Sequence, residues 1–354
     1  MRDGFEDPVL EAHKAKISYP FPGGPDQGEA VDVAPGVKWL RMPLGGSLAW
    51  INVWAIREAG GWAIVDTGLG GQATRESWRK ALAGPLEGLP VTRVVVTHMH
   101  PDHIGMSGWM TRKFGYRLWI TRLEFLMCRS LSADTGREAP EDALVFYRAA
   151  GWDEEALEDY RARFGGFGKS VHALPDSFQR LSDGDVVRIG DHDWKVVVGS
   201  GHSPEHACLW CPDLKVMISG DQVLPRITSN VSVFPIEPAG DPLTDWLTSL
   251  ARIRGVVPDD VLVLPAHNEP FHGLHARIDH LIGGHERSLI RLQKLLEEPK
   301  RAIDTFHILF RRTIDRWTLG MATGESLAHL NCLMTRGLAV RTRDEAGVDW
   351  YRAV

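Results

Sequence analysis

The stretch VTRVVVTHMHPDHIG, Val91 to Gly105, confines the fold more than any other part of the chain. Its first half is an apolar run rather than an alternating one, which predicts a strand covered on both faces. Its second half puts three imidazoles and a carboxylate where that strand ends. Side chains two apart on an extended segment point the same way, so His98 and His100 face one point. Pro101 then turns the chain, and Asp102 and His103 open a helix. Imidazole nitrogen and carboxylate oxygen are ligands for zinc and similar divalent ions, and the arrangement predicts two neighbouring ions.

The local motif cannot complete both coordination shells, so further ligands must arrive from elsewhere. Three later segments offer them: VVVGSGHSPEH brings His202, VMISGDQVLP brings Asp221 and VLVLPAHNEP brings His267. Each is an apolar run that ends in Gly or Pro beside a ligand type. His172, His192, His206, His272, His275, His280, His285, His307 and His329 are read as surface or capping residues. His206 is the leading exception, because it follows His202 by four positions.

Composition sets outer limits. With 354 residues, 44% of them hydrophobic and 24% charged, the chain can bury one large core and carry an appendage. A net charge of -6 gives no general reason to bind nucleic acid or an anionic membrane. The first residues, MRDGFEDPVL, are acidic where a secretory signal would be apolar, and no run reaches the ~18 apolar residues of a membrane span. Four cysteines are too few for a disulfide framework, and together these features predict a cytoplasmic protein. Cys208 and Cys211 spell CxxC inside an expected strand, where positions three apart face opposite sides, so they read as buried strand residues.

Around the central motif the elements alternate. VKWLRMP, SLAWINVWAIRE and GWAIVDTG predict a meander of strands after a loose, Pro- and Gly-rich lead-in. QATRESWRKALAGP, DPLTDWLTSLARIRG and LHARIDHLIGGHERSLIRLQKLLEE predict helices. Between YRLWITRLE and FQRLSDGD the chain turns charged, aromatic and helical in period, which predicts an inserted helical segment. Past Pro299, short helices precede two strands around a turn.

These motifs, in this order, resemble those of the metallo-β-lactamase superfamily over about residues 35 to 295. The chain looks most like its glyoxalase-II-like, thioesterase-like branch with a C-terminal tail. The resemblance implies an α/β fold: an αββα sandwich over 36–297, following a lead-in of 1–35. A helical insertion spans about 122–172, and a small winged-helix-like domain covers 298–354. It also implies that His98, His100 and His202 hold one ion, Asp102, His103 and His267 a second, and that Asp221 bridges them. Asp66, in VDTG, would support the ligand loops from behind.

Two divalent ions, zinc first with manganese or iron as alternatives, would share a bridging hydroxide that attacks a substrate carbonyl. Asp102 is the expected proton relay. The superfamily's true β-lactamases generally lack the bridging aspartate, so Asp221 points to another hydrolase, acting on a small ester, a thioester of acyl-CoA or glutathione type, or a lactone. A phosphodiesterase or single-strand RNA nuclease is the alternative, with Arg311, Arg312, Arg316, Arg341 and Arg343 guiding the strand. A non-enzymatic regulatory protein fits a complete ligand set least. The insertion's aromatics either wall a site for an acyl chain or pack the insertion's own core. Tyr147 and Tyr160 are the candidate substrate-binding residues among them. A small-molecule substrate, no nucleic acid, no membrane and a homodimer complete the expectation.

Overall fold

Two sheets face each other with helices on both outer sides. The computed structural model describes residues 12–14, 16–311 and 313–354, together with the side chains of all of these except Ser47. Residues 1–11 and 15 of the expected lead-in, and Arg312, lie outside the described residues. The first sheet holds seven strands in chain order: β1 (Val31–Ala34), β2 (Val37–Pro43), β3 (Trp50–Glu58), β4 (Gly61–Val65), β5 (Val91–Val95), β6 (Leu118–Thr121) and β7 (Phe178–Leu181). β1 forms inside the expected lead-in, because VDVA pairs back on β2 with Val31 opposite Trp39.

From β4 to β7 the strands are parallel. Parallel neighbours need crossovers. Helix α1 (Gln72–Ala83) supplies the first, and α2 (Pro101–Ile104) with α3 (Ser107–Phe114) the second. The third crossover is the helical insertion: α4 (Arg122–Ala133), α5 (Glu141–Ala149) and α6 (Glu154–Arg163). The second sheet contains β8 (Val186–Ile189), β9 (His192–Gly199), β10 (His206–Cys211), β11 (Val216–Gly220) and β12 (Leu262–Pro265), in the order β12-β11-β10-β9-β8. Helices α7 (Pro242–Val256) and α8 (Leu274–Leu295) cover its outer face.

The alternation of side chains sorts residues into layers. On β2, Val37 and Trp39 enter the seam between the sheets, whereas Leu40 and Met42 meet Trp78 of α1 and Met110 of α3 on the outer side. Trp39, Trp54 and Trp194 fill the seam with Leu209, Ile218 and Leu264. An indole buried this completely removes on the order of 200 Å² from water, a transfer contribution of roughly 5 kcal/mol before entropy is counted. Cys208 faces the outer helices and Cys211 the seam, as their spacing predicts, and both are free thiols.

The last residues form α9 (Phe306–Leu309), α10 (Leu319–Thr335) and a hairpin of β13 (Ala339–Arg343) with β14 (Asp349–Ala353). Lys300 exchanges backbone hydrogen bonds with Tyr351, so the hairpin is tied back to the end of α8. Leu327, Leu330, Leu333 and Tyr351 belong to the same buried cluster as Trp246 and Ile278. The tail therefore shares the core of the second sheet's outer layer. No described helix is long and apolar enough to cross a membrane.

That shared layer buries two histidines expected at the surface. His285 on α8 and His329 on α10 are 3.2 Å apart, Nδ1 to Nε2. His329 Nδ1 donates to the Glu325 carbonyl at 2.8 Å, which leaves its Nε2 to accept from His285. Burial, helped by the neighbouring imidazole, lowers the His285 pKa to about 3, and burial lowers that of His329 to about 4. An unfolded histidine titrates near 6.5, so below that value the unfolded chain binds protons that the native pair refuses. The pair's contribution is complete above about pH 6.5 and is lost as pH falls toward 4, by about 1.4 kcal/mol per unit for each ring. Urea midpoints between pH 7 and 4.5 should fall less steeply for the double variant His285→Gln, His329→Gln than for the wild type. Parallel pH profiles would refute this account of the pair.

Candidate metal centre

The site lies where β4, β5, β11 and β12 end and where β10 begins. Asp66 follows β4 with φ of 62°, a left-handed conformation that costs a non-glycine residue of order 1 kcal/mol. Three donors hold it there. Its carboxylate accepts the Thr97 N–H at 2.8 Å, the Thr97 hydroxyl at 2.9 Å and the His103 Nδ1–H at 2.8 Å. Since Nδ1 is engaged by Asp66, His103 turns Nε2 away from Asp66, where a bound cation would displace its proton and take the nitrogen.

The same device orients two more rings. His202 Nδ1 donates to the Asn230 carbonyl at 2.7 Å and His267 Nδ1 to the Trp50 carbonyl at 3.3 Å. Their Nε2 atoms face Asp221, at 3.4 Å from Oδ2 and 3.6 Å from Oδ1 respectively. His98 Nε2 stands 2.9 Å from His100 Nδ1 and 3.2 Å from His202 Nε2. Among the described residues three groups of donor atoms result, the atoms of each group lying within 4.8 Å of one another: His98, His100 and His202; His98, His103 and Asp221; Asp102, His103 and His267.

The donor set fits divalent cations. Tetrahedral zinc with Zn–N bonds of about 2.0–2.1 Å would separate its nitrogens by about 3.3 Å, close to the spacing of His98 and His202. Among the described residues, the buried His103 Nε2 and Asp221 Oδ1 have no hydrogen-bond partner, and both face the cluster. Asp221 touches ligands of both sides, since Oδ2 also lies 3.6 Å from His103 Nε2. Asp102 Oδ2 is 3.3 Å from His267 Nε2 and 3.7 Å from His103 Nε2.

Electrostatics divide the centre into two halves. Burial holds His98 well below the usual imidazole range and His100 at about 3, with the other imidazoles adding to the effect. Those rings are neutral, the form that ligates a metal. Burial also opposes charge on His103, but Asp66, Asp102 and Asp221 outweigh it and raise this ring well above the ordinary value. His267 is raised too, burial again being overcome, here chiefly by Asp221 and Asp102. One half presents neutral nitrogens and the other presents carboxylates suited to a cation.

Two buried residues do jobs that the sequence does not announce. His206 lies beneath the cluster, its ring centroid 4.7 Å from that of His98, and its Nε2 accepts the Asp221 N–H at 3.0 Å. It therefore holds a ligand's backbone rather than joining the groups of donors. Glu124, on the first turn of α4, accepts the Met99 N–H at 2.9 Å through Oε2 and the Glu205 N–H at 2.8 Å through Oε1. Glu205 returns the bond by accepting the Leu123 N–H at 2.8 Å. One carboxylate thus ties the His98–His100 loop to the loop that follows His202. In sequence Glu124 is an ordinary charged residue in RLEFLMCRS, and both of its partners are remote or unmarked.

Tyr147 and Tyr160 are placed elsewhere. Tyr147 stacks on Trp152 at 4.2 Å and meets Tyr160 at 4.8 Å, in a cluster with Leu144 and Leu157. Ile303 and Leu319 close that cluster from the tail, and the Trp152 indole donates to Thr323 on α10 at 2.9 Å. Among the described residues, the ring contacts of both tyrosines are with aromatics of the insertion and none is with the histidine cluster. Packing of the insertion on the tail accounts for both rings.

A two-sheet sandwich with outer helices and a His/Asp centre at its strand ends is the architecture of a metal-dependent hydrolase. Residues 51–298 match the family model of the metallo-beta-lactamase superfamily, and residues 289–354 that of the metallo-beta-lactamase-like C-terminal domain. The chain belongs to the metallo-beta-lactamase superfamily and is a hydrolase of that group. It is similar to a beta-lactamase domain protein from Burkholderia ambifaria, with a TM-score of 0.88 and 39% identity, over 97% of this chain and 100% of that one. A metallo-beta-lactamase family protein from Thermus thermophilus gives a TM-score of 0.76 and 28% identity, over 91% and 100% of the two chains. A chicken (Gallus gallus) protein named acyl-coenzyme A thioesterase MBLAC2 is 26% identical over 254 residues, which are 66% of this chain and 83% of that protein.

The lock made by Glu124 generates a direct test. Glu124→Gln replaces one acceptor oxygen with an amide that cannot accept, so one of the two loops loses its anchor. Metal affinity, measured by competition with a chromophoric chelator, should fall by about 10- to 100-fold while the urea midpoint in chelator stays near that of the wild type. Unchanged affinity would mean that the loops hold their geometry without it.

Proposed function

We propose that this chain is a dinuclear metal-dependent hydrolase of acyl thioesters. The observation that carries the reading is the position of Asp221, whose two oxygens face ligands of both halves of the centre. A carboxylate so placed suits a bridge between two ions. His98, His100 and His202 would hold one ion and Asp102, His103 and His267 the other, and five imidazoles with two carboxylates favour zinc, with manganese or iron as substitutes. Two bound ions supply Lewis acidity at the scissile carbonyl and a water that ionises near neutral pH.

The remaining work falls to the chain. Water oxygen adds to the carbonyl carbon, the C–S bond breaks, and the thiolate leaves with a proton. Asp102 is suited to relay that proton, because its side chain is 19% exposed and reaches His267 Nε2 at 3.3 Å. The fixed acceptors of His103, His202 and His267, namely the Asp66 carboxylate and the Asn230 and Trp50 carbonyls, keep the cluster from relaxing as charge develops. Thioesters are preferred over other acyl compounds because a relative that aligns with 66% of this chain is named as an acyl-CoA thioesterase.

The tail gives less support to a phosphodiester substrate. Arg343 is held by Asp349 at 2.7 and 2.9 Å, and Arg341 lies 3.6 Å from the same carboxylate. Arg316 lies over the Trp317 ring at 5.0 Å. These cations are committed to local structure rather than arrayed along a strand path. Four free, buried cysteines accord with a reducing, cytoplasmic location.

The test is a substrate panel on metal-analysed protein: acyl-CoA, a glutathione thioester, a lactone and an aryl ester, beside single-stranded RNA and bis(p-nitrophenyl) phosphate. Thioester turnover should dominate, and chelation should abolish it. Asp221→Ala should lower kcat/KM by about three decades, roughly 4 kcal/mol of transition-state stabilisation. Cleavage confined to the phosphodiesters would overturn the substrate class. Full activity with one bound ion per chain would overturn the dinuclear site.

A further inference from the structure

A cavity of about 250 Å³ opens between α8, α10 and the loop after α9. Three guanidiniums line it, those of Arg287 and Arg291 on α8 and of Arg311 on the loop, against the carboxylate of Glu325 on α10. Like charges four positions apart on a helix repel, and docking of the tail adds a third cation to the pair on α8. The buried rings of His285 and His329 also line the cavity, and with pKa values of about 3 and 4 they are neutral at pH 7. Other arginines of the tail are clasped by carboxylates, Arg336 by Glu286 at 2.7 and 2.8 Å and Arg343 by Asp349 at 2.7 and 2.9 Å, and these contacts raise their pKa. Arg291 instead donates to the Ser288 hydroxyl at 3.0 Å, and its pKa falls, through burial first and then through Arg287 and Arg311. Three cations against one carboxylate leave an excess of two positive charges, on a chain whose net charge is -6.

The helix also leaves the cavity open. Gly284, in the middle of α8, is part of the cavity wall, and a Cβ there would meet no atom within 4 Å. Packing therefore does not ask for glycine at this position, although glycine costs a helix interior roughly 1 kcal/mol relative to alanine. What it preserves is space and an approachable backbone beside the guanidiniums. The volume is smaller than the roughly 300–1,000 Å³ that accommodates drug-sized ligands, which limits the occupant to a small molecule or to one group of a larger one. A second hollow of about 140 Å³ shares Thr228 and Glu325 with the cavity, and Phe310, Ile314 and Met321 make it mostly apolar.

We propose that this cavity is a phosphate-binding site, separate from the metal centre, that takes the free ion or the phosphoryl group of a small monoester. A phosphoryl group carries about -1.5 to -2 charges at pH 7, close to the cavity's excess, and offers three acceptor oxygens to three guanidinium forks. A carboxylate would offer only two. The arm of a monoester would find the apolar hollow beside it. None of the lining residues is a candidate metal ligand, and the Ser229–Asn230 segment stands between, with its Ser229 hydroxyl and Asn230 carbonyl turned to Asp221 and His202. The site is thus independent of the substrate that the metal centre hydrolyses. Arg291 and Arg311 are exposed, so both side chains can be changed without opening the core.

The experiment titrates the full, metal-loaded chain calorimetrically with inorganic phosphate and with phenylphosphonate, at fixed ionic strength. Three proteins are compared: the wild type, the double variant Arg291→Gln, Arg311→Gln, and a control, Arg137→Gln, Arg188→Gln, that removes the same charge from exposed ion pairs elsewhere. Affinity for at least one probe should fall by about tenfold or more in the cavity variant and stay unchanged in the control. Tighter binding of phenylphosphonate than of phosphate in the wild type assigns the site to a monoester with its arm in the hollow, and equal binding assigns it to the free ion. Phosphate held by bound metal ions is indifferent to these arginines, so affinities that match the wild type in the cavity variant overturn the proposal. An equal loss in the control variant also overturns it, because diffuse charge would then account for the binding. Absence of binding to the wild type at millimolar concentrations of both probes overturns it outright.

Discussion

A carboxylate sealed between two sheets needs donors, and the demand of Asp66 organises this molecule. Its left-handed backbone turns the side chain under the end of β5, where Thr97 gives it an amide and a hydroxyl. Thr97 in turn offers its carbonyl to the Ala207 N–H at 2.8 Å, which joins the first sheet to the start of β10 in the second. At the far side Asn52 plays a comparable part, donating from its amide to the Pro265 and Asn268 carbonyls at 2.8 and 2.6 Å. The strand ends that carry ligands are therefore pinned to one another before any ion binds. Gly220 shows how tight the seam is. With φ of 51°, a Cβ there would stand 2.5 Å from His206 Nε2, the atom that accepts from Asp221.

Such a centre is costly for the fold alone. Asp66, Asp102 and Asp221 crowd around His103 and His267, while His98 and His100 are desolvated with their ring nitrogens toward one another. Buried charge of this kind stabilises little by itself, since desolvation offsets attraction. A divalent ion held there would change the sign of the balance, because it would satisfy the carboxylates and the facing nitrogens together. Ion binding at these residues would be linked to folding stability, and the candidate ligands are poised by carbonyls and carboxylates outside the cluster.

How much of this is legible in the sequence depends on whether a residue's task is local. The strand ending at Thr97 announces itself by its apolar run, and alternation places His98 beside His100 and splits Cys208 from Cys211. His202, Asp221 and His267 are legible because each ends an apolar run, and a chain has few reasons to place ligand types there repeatedly. Glu124 and His206 are not, because their value lies in backbone N–H groups of Met99, Glu205 and Asp221 that any residue would supply. His285 and His329 look like surface positions on a helix, and only the covering tail buries them. Tyr147 and Tyr160 are legible as aromatic mass but not as to its use, which depends on where Ile303 and Leu319 dock.

The tail has a role that follows from its packing. Because Leu327, Leu330 and Leu333 sit in one continuous core with Trp246 and Ile278, α10 is not hinged against the sandwich. Glu325 and His329 on that helix, and Arg287 and Arg291 on α8, are held at a set distance from the segment that bears Ser229 and Asn230. Ser229 donates to the Asp221 carbonyl and Asn230 accepts from His202, so that short segment faces the metal ligands on one side and the cavities on the other.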